Sequence, residues 1–441
     1  MNSDRTDELK RLDFAHVWHP FTQHQEWFNN EPLFIERAEG CLLEDSETRQ
    51  YIDAVGSLWV GVHGHRHPVV DAAVKAQLQR VAHSTFLGLS HPSAVELAHR
   101  LVECSPEKLQ RVFYSDSGST AVEIALKMAF QAQQQRGEIK RTRFAALSQA
   151  YHGDTVGSVS VGGIDLFHKV YRPLLFDALH LPCPDHYENE KEQSDAAIQI
   201  LETHGEELVA LIVEPLVQGA AGMRMHSTAY LEPLIARARE LGVLIIFDEV
   251  ATGFGRTGSF FATDQIGVKP DFLCLGKGLT NGYLPLAVTM TTEEVFEAFL
   301  GSHDRTFFHG HTYTANPLGC AAALATLELF QKENTMVKVQ ELIGDMEAML
   351  RPLKKRLDVQ LVRQKGLMVG IDLCGTQGEA LDPSQRTGHH VCMAARRHGV
   401  LLRPLGDTVV MMPPLCITQV QLRRVVDVLT QVLDDREGGV L

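Results

Sequence analysis

The sequence predicts an α/β fold, with a large domain on a mostly parallel sheet and a small α+β domain assembled from the N- and C-terminal segments. Three observations point there. Short apolar runs, RVFYS, FAALS, LVALIVEPL, VLIIFDEV and DFLCLGK, alternate with helical stretches through the middle of the chain. Runs that are apolar throughout suit strands covered on both faces by helices. Beyond residue 317 an Ala-rich helical stretch leads to a part where helices alternate with LMVGIDL, GVLLRPL and VVMMPPL, the pattern of a smaller α+β unit.

The elements then follow in order. Residues 1–70 mix aromatic, Gly and Pro residues with short apolar stretches and read as an arm that belongs to the small domain. Helical spacing is predicted from about 71 to 110 and again over 119–137, where Ala121, Ile124, Ala125, Met128 and Ala129 recur on one face. A further helix is expected near 228–241, and the acidic stretch HYENEKEQSD reads as a solvated loop or helix start. The implied boundaries are 1–70, 71–325 for the large domain, and 326–441.

With 441 residues, 44% of them hydrophobic, the chain can bury a large core. A formal net charge of -14 and the absence of a Lys/Arg cluster argue against a nucleic-acid or anionic-membrane partner. No apolar run approaches the roughly 18 residues that a membrane span needs, and MNSDRTDELKRLD lacks the apolar core of a secretory signal, so a cytoplasmic location is expected. The eight cysteines are scattered without a CxxC pair, as expected of reduced, buried thiols rather than disulfides or a zinc site. His63, His65 and His67 would share one face of a strand, but no carboxylate follows at ligand spacing and no metal is expected.

Three strand ends carry the chemistry, because an open parallel sheet binds ligands outside the carboxyl ends of its strands. In FYSDSGSTAVE the strand runs through Ser117, Gly118, Ser119 and Thr120 into a helix, which is either a phosphate cradle or an ordinary helix cap. In VLIIFDEV five apolar residues end at Asp248, which reads equally as a partner for a protonated heterocycle nitrogen or as a capping or salt-bridged acid. In DFLCLGKGL, Lys277 stands between Gly276 and Gly278 at a strand end, where partial desolvation lets an amine lose its proton and form an imine with an aldehyde. One cofactor has a phosphate, a pyridine nitrogen and an aldehyde: pyridoxal 5'-phosphate (PLP).

The order SDSGSTAVE, YHGDT, VEPLVQGAAGM, DEVATGFGRTG and LGKGLTNGYLPLA resembles the class III aminotransferases of PLP fold type I across nearly the whole chain. That resemblance implies a seven-stranded large-domain sheet. It also implies that Gly118 and Ser119 bind the phosphate, Tyr151 lies over the ring, Asp248 pairs with its nitrogen and Lys277 forms the imine. Thr312, with His311 beside it, matches a residue that reaches the phosphate from the partner subunit, so the resemblance implies a homodimer with shared active sites. Glu214, Gln218 and Arg256 resemble positions that bracket the site, although Arg256 reads equally as a structural ion pair.

Two narrower stretches, HVWHPFTQ and GSLWVGVHGHRHP, together with LLRPLGDTVVMMPPL, resemble the biotin-pathway branch of this family. Its members transfer an amino group to the keto acid 8-amino-7-oxononanoate, usually from S-adenosylmethionine. The branch implies a substrate site lined by Phe21, Leu58, Trp59, Tyr151, Lys277, Gly310 and Arg403, with Arg403 on the substrate carboxylate. On the residues alone, Trp18, Phe21 and Trp59 read as core packing. Leu58 and Phe21 stand where the best-known members carry a tryptophan and a tyrosine, which leaves lysine open as an alternative donor. An omega-amino acid:pyruvate or diamine aminotransferase is the nearest rival reading, and a non-catalytic PLP-binding protein the rival of another kind.

Overall fold

The computed structural model describes residues 2–30, 32–165 and 169–439, with side chains from residue 5 onward. The strands in chain order are β1 (Ile35–Glu39), β2 (Leu42–Asp45), β3 (Gln50–Asp53), β4 (Leu109–Ser115), β5 (Arg143–Leu147), β6 (Ala178–Leu181), β7 (Leu208–Val213), β8 (Val217–Gln218) and β9 (Arg224–Met225). They continue with β10 (Leu244–Asp248), β11 (Phe272–Leu275), β12 (Ala287–Thr292), β13 (Val359–Lys365), β14 (Met368–Leu373), β15 (Val400–Leu401), β16 (Arg403–Leu405) and β17 (Thr408–Met411).

The large sheet has seven strands in the order β4-β12-β11-β10-β7-β5-β6. Strands β11, β10, β7, β5 and β6 pair in parallel, and β12 runs against both of its neighbours. The mostly parallel α/β expectation therefore holds, with β6 and β12 added to the runs picked out in the sequence. Leu208–Val213 and Leu244–Asp248 are buried at every position, as central strands between two helical layers must be. Consequently the carboxyl ends of β4, β5, β7, β10 and β11 open on one edge, and their loops carry Ser117–Ser119, Tyr151 and His152, Glu214, Asp248 and Lys277.

A second sheet, β1-β2-β3-β15, joins the N-terminal segment to residues near 400, with β15 parallel to β3 (Val400 beside Ile52). A third, β13-β14-β17-β16, is antiparallel and carries Arg403. The helix expected over 71–110 is two helices, Pro68–Arg80 and Pro92–Cys104, followed by β4. The second begins where a proline at its first position loses no hydrogen bond and His91 Nδ1 accepts the Ala94 N–H at 3.3 Å. Asn2–His16 is a helix that the polar start of the chain did not announce.

Core packing accounts for Trp59, 6% exposed, but not for Trp18 at 89% or Phe21 at 62%. All eight cysteines are free thiols; Cys416 is exposed and Cys104 intermediate, so burial of every cysteine is corrected for these two. No helix among the described residues is long and apolar enough to cross a membrane, and no group of three metal-binding side chains occurs among them.

Candidate active site

The loops at the carboxyl edge of the large sheet enclose a cavity of about 520 Å³. Gly118, Ser119, Tyr151, Asp248 and Lys277 line it together with Phe21, Leu58, Trp59 and Arg403 from other parts of the chain. Larger cavities lie elsewhere, but neither brings a lysine at a strand end together with a buried carboxylate.

On the β4 side, Ser117 caps the helix Gly118–Gln135: its Oγ accepts the Thr120 N–H at 3.3 Å, while Thr120 Oγ1 accepts the Ser117 N–H at 3.0 Å. The N–H groups of Gly118 and Ser119 take no acceptor among the described residues, so the positive end of an 18-residue helix faces the cavity. Gly118 is there for packing: a Cβ would lie 2.5 Å from Val250 Cγ1. Gly276 sits against the same helix start, since its Cβ would fall 3.6 Å from Gly118 Cα, bringing the lysine's strand beside the cradle.

Asp248 ends β10 in a buried position. One carboxylate oxygen accepts the Val250 N–H at 3.0 Å and the other meets His152 Nδ1 at 2.8 Å. His152 is itself buried, and its Nε2 has no hydrogen-bond partner among the described residues. Sequence reasoning took Tyr151 from YHGDT and passed over its neighbour; the available signal was a titratable side chain just beyond the apolar strand β5, where a buried imidazole needs a partner. Tyr151 donates its Oη–H to Asp154 at 2.8 Å and its N–H to Glu214 at 3.0 Å. Glu214 also accepts the Gly219 N–H at 3.0 Å, and burial raises its pKa to about 7.

Lys277 adopts φ +42 directly after Gly276. It keeps an opening onto the cavity, while protein otherwise surrounds the amine, and that burial lowers its pKa to about 8. The Trp59 ring lies 4.6 Å from its Nζ, a contact that favours the ammonium only modestly, so desolvation wins. In the cofactor-free protein, trapping of a simple aldehyde on Lys277 by borohydride should therefore rise about tenfold per pH unit up to about pH 8 and then level off. Quantified by mass spectrometry across pH, a rate that keeps climbing toward pH 10 would contradict the depressed pKa.

Arg403 stands half-buried in the cavity wall, with no ion-pair partner among the described residues, and burial lowers its pKa. Phe21 and Leu58 are exposed at the mouth. Gly310, His311 and Thr312 are not part of this chain's own cavity wall: Gly310 and Thr312 are exposed, and His311 Nε2 lies 3.9 Å from Asp116 Oδ1, beside the helix start. Gln218 is buried behind the wall and donates to Ser148 O at 3.0 Å. Among the described residues Arg256 is neither part of the cavity wall nor in an ion pair. Fully buried, it donates to the carbonyls of Pro413 at 2.5 Å, Gly61 at 2.6 Å and Trp59 at 3.3 Å.

The donor set fits a phosphorylated pyridine aldehyde, with open N–H groups for the phosphate, a fixed carboxylate for the ring nitrogen and a readily deprotonated amine for the aldehyde. Comparisons with known proteins agree. The family model for class-III aminotransferases matches residues 24–433. The chain is 50% identical over 439 residues to the adenosylmethionine-8-amino-7-oxononanoate aminotransferase of Nitratidesulfovibrio vulgaris, covering 96% of this chain and 81% of that one. The crystal structure of the enzyme of that name from Methanocaldococcus jannaschii superposes with a TM-score of 0.94 at 42% identity, covering 97% of this chain and 99% of the other. A PLP-bound amine transaminase from an uncultivated Pseudomonas species gives 0.90 at 35%, covering 95% and 98%. The chain belongs to the class-III aminotransferases, PLP-dependent transaminases of fold type I.

Proposed function

We propose that this chain transfers an amino group to 8-amino-7-oxononanoate, giving 7,8-diaminononanoate, with S-adenosylmethionine as donor. The observation that carries the reading is Arg403, a guanidinium without a counter-ion among the described residues, in the same cavity as Lys277. Such a group is a receptor for a substrate carboxylate, which it can hold through two parallel N–H bonds. Phe21, Leu58 and Trp59 offer the apolar lining that an aliphatic acid needs. Relatives at 50% and 44% identity bear the name of that activity.

PLP, when bound, supplies an aldehyde that takes up the donor's amino group and a ring that draws electrons from the carbon losing its proton. Gly118 and Ser119 would hold its phosphate through their N–H groups, Asp248 its ring nitrogen, Tyr151 its ring and Lys277 its aldehyde. Lys277 then acts as the base that removes the substrate proton and redelivers it. An amine with a pKa near 8 gives and takes protons close to neutral pH. His152 keeps Asp248 aimed, and Arg403 sets how far the substrate reaches.

A homodimer follows from the same reading. Gly310, His311 and Thr312 lie outside their own cavity wall, and they would complete the site of a partner subunit. A cytoplasmic location fits a small-molecule biosynthetic reaction. Leu58 and Phe21 favour a second reading in which lysine is the donor, because they offer less aromatic surface and one hydroxyl fewer to an adenosyl group.

The test is to mix the holoenzyme with each donor alone, following its visible absorbance and the amount of keto product released. Bleaching by S-adenosylmethionine, with the lost amino group recovered on added 8-amino-7-oxononanoate, is the expected result. Bleaching by lysine alone moves the assignment to the second reading. Bleaching by neither refutes both.

A further inference from the structure

Four consecutive residues, Gly56, Ser57, Leu58 and Trp59, of which the last two line the cavity, take φ values of +53, +45, +66 and +73. Glycine adopts that region freely, whereas serine, leucine and tryptophan do so only when their surroundings hold them there. Asp53, at the end of β3 and 1% exposed, supplies one hold. Its Oδ1 accepts the Ser57 N–H at 3.0 Å and the Val55 N–H at 3.4 Å, while Oδ2 accepts the Ser57 hydroxyl at 2.7 Å and meets His65 Nε2 at 3.0 Å. Arg256 supplies the other through the carbonyls of Trp59 and Gly61.

The turn delivers its side chains to the reaction site. Leu58 and Trp59 line the cavity, and the Trp59 ring packs on Gly219, where a Cβ would stand 3.2 Å from it. We propose that Asp53 is a positioning residue of this active site. Its carboxylate keeps residues 57 and 58 in the left-handed region and so holds Leu58 and Trp59 in place as the substrate wall.

Without that carboxylate, residue 57 is released toward ordinary right-handed or extended backbone while Arg256 still grips the Trp59 carbonyl. Leu58 and the indole then leave their places in the wall. Lys277 and Asp248 stand on other strands, so the chemistry survives while substrate binding weakens. The inference rests on the reading of this cavity as the active site.

The test uses holoenzyme with Trp18→Phe and Trp27→Phe, which leaves Trp59 as the sole tryptophan among the three. Asp53→Ala should then shift its emission to the red and raise acrylamide quenching about threefold, with KM for the keto acid up about 30-fold and kcat within about threefold. Adding Ser57→Gly should recover about fivefold of the KM loss and reverse much of the quenching, because glycine needs no carboxylate to stay left-handed. A merely structural carboxylate would not be replaced by a glycine four residues away.

If Asp53→Ala does not fold, Ser57→Ala removes one of the bonds and leaves the Asp53–His65 pair; a smaller change in the same direction, about threefold in KM, is then expected. Unchanged Trp59 quenching in either variant, or no rescue by Ser57→Gly, overturns the proposal. Quenching does not depend on which acceptor the enzyme uses. Altered quenching with no turnover of 8-amino-7-oxononanoate therefore refutes only the substrate assignment.

Discussion

Lys277→Ala is expected to lower kcat by at least about 10⁴-fold while leaving a folded protein, because the side chain contributes to proton transfer and not to packing. Lys277 makes no side-chain hydrogen bond or ion pair among the described residues, and its one ring contact is with Trp59. The sign of its pKa shift points the same way. The folded pKa of about 8 lies below the ordinary 10.5, so at pH 7 the folded state holds the ammonium against its preference and gains nothing from it. A thermal midpoint equal to or slightly above that of the parent, measured on both proteins without cofactor, is the companion result. A variant that cannot be recovered in soluble form would show that the lysine also supports the fold.

The second large effect is expected at Asp248. Asp248→Ala removes the carboxylate that would face the ring nitrogen and strips the buried His152 ring of its one hydrogen-bonded contact among the described residues. A fall in kcat of about 10³-fold is expected, together with loss of cofactor on dialysis. Asp248→Asn separates charge from shape. The amide can still accept from Val250, so a fall nearly as deep would assign the effect to charge, whereas near-parent activity would remove Asp248 from the electronic role. His152→Ala should cost less, about tenfold, since it disturbs the aim of the carboxylate and not its presence.

Much of this site was legible before any coordinates because each part ends a buried strand. Five apolar residues followed by Asp248, and four followed by Gly276 and Lys277, are local patterns that a parallel sheet converts into neighbours at one edge. The helix start proposed to cradle a phosphate was legible for the same reason, with Ser117 serving the helix as its cap and Gly118 and Ser119 facing the cavity.

The rest depends on contacts and exposure that the local pattern does not show. His152 gains meaning only from Asp248, 96 residues away. Asp53 reads as an ordinary strand acid until the backbone of Ser57 turns back onto it. Arg256 suggests an ion pair because guanidinium groups usually find carboxylates, yet its two terminal nitrogens bond three backbone carbonyls instead, and its Nε has no partner among the described residues. On the residues alone Phe21 and Trp18 read as core, whereas the family resemblance places Phe21 at the substrate site; both are exposed, and Phe21 stands in the cavity wall. Strands β6 and β12 escaped notice because ALHL is short and AVTMTT is half threonine, and pairing within the sheet decides their state more than composition does.

The pairing of β3 with β15 carries a consequence for synthesis. Ala54 bonds Leu401 and Met412, and Arg256 clasps Pro413, so the turn bearing Leu58 and Trp59 is completed by residues made some 350 positions later. When the first 300 residues have emerged from the ribosome, all seven strands of the large sheet have been made, Asp248 and Lys277 with them, but the wall over them has no backing. A chain cut before residue 400 would still contain the residues proposed to hold the cofactor but would lack the backing of the enclosure proposed to select a substrate. Translation thus sets an order on this molecule, with reactive groups first and selectivity last.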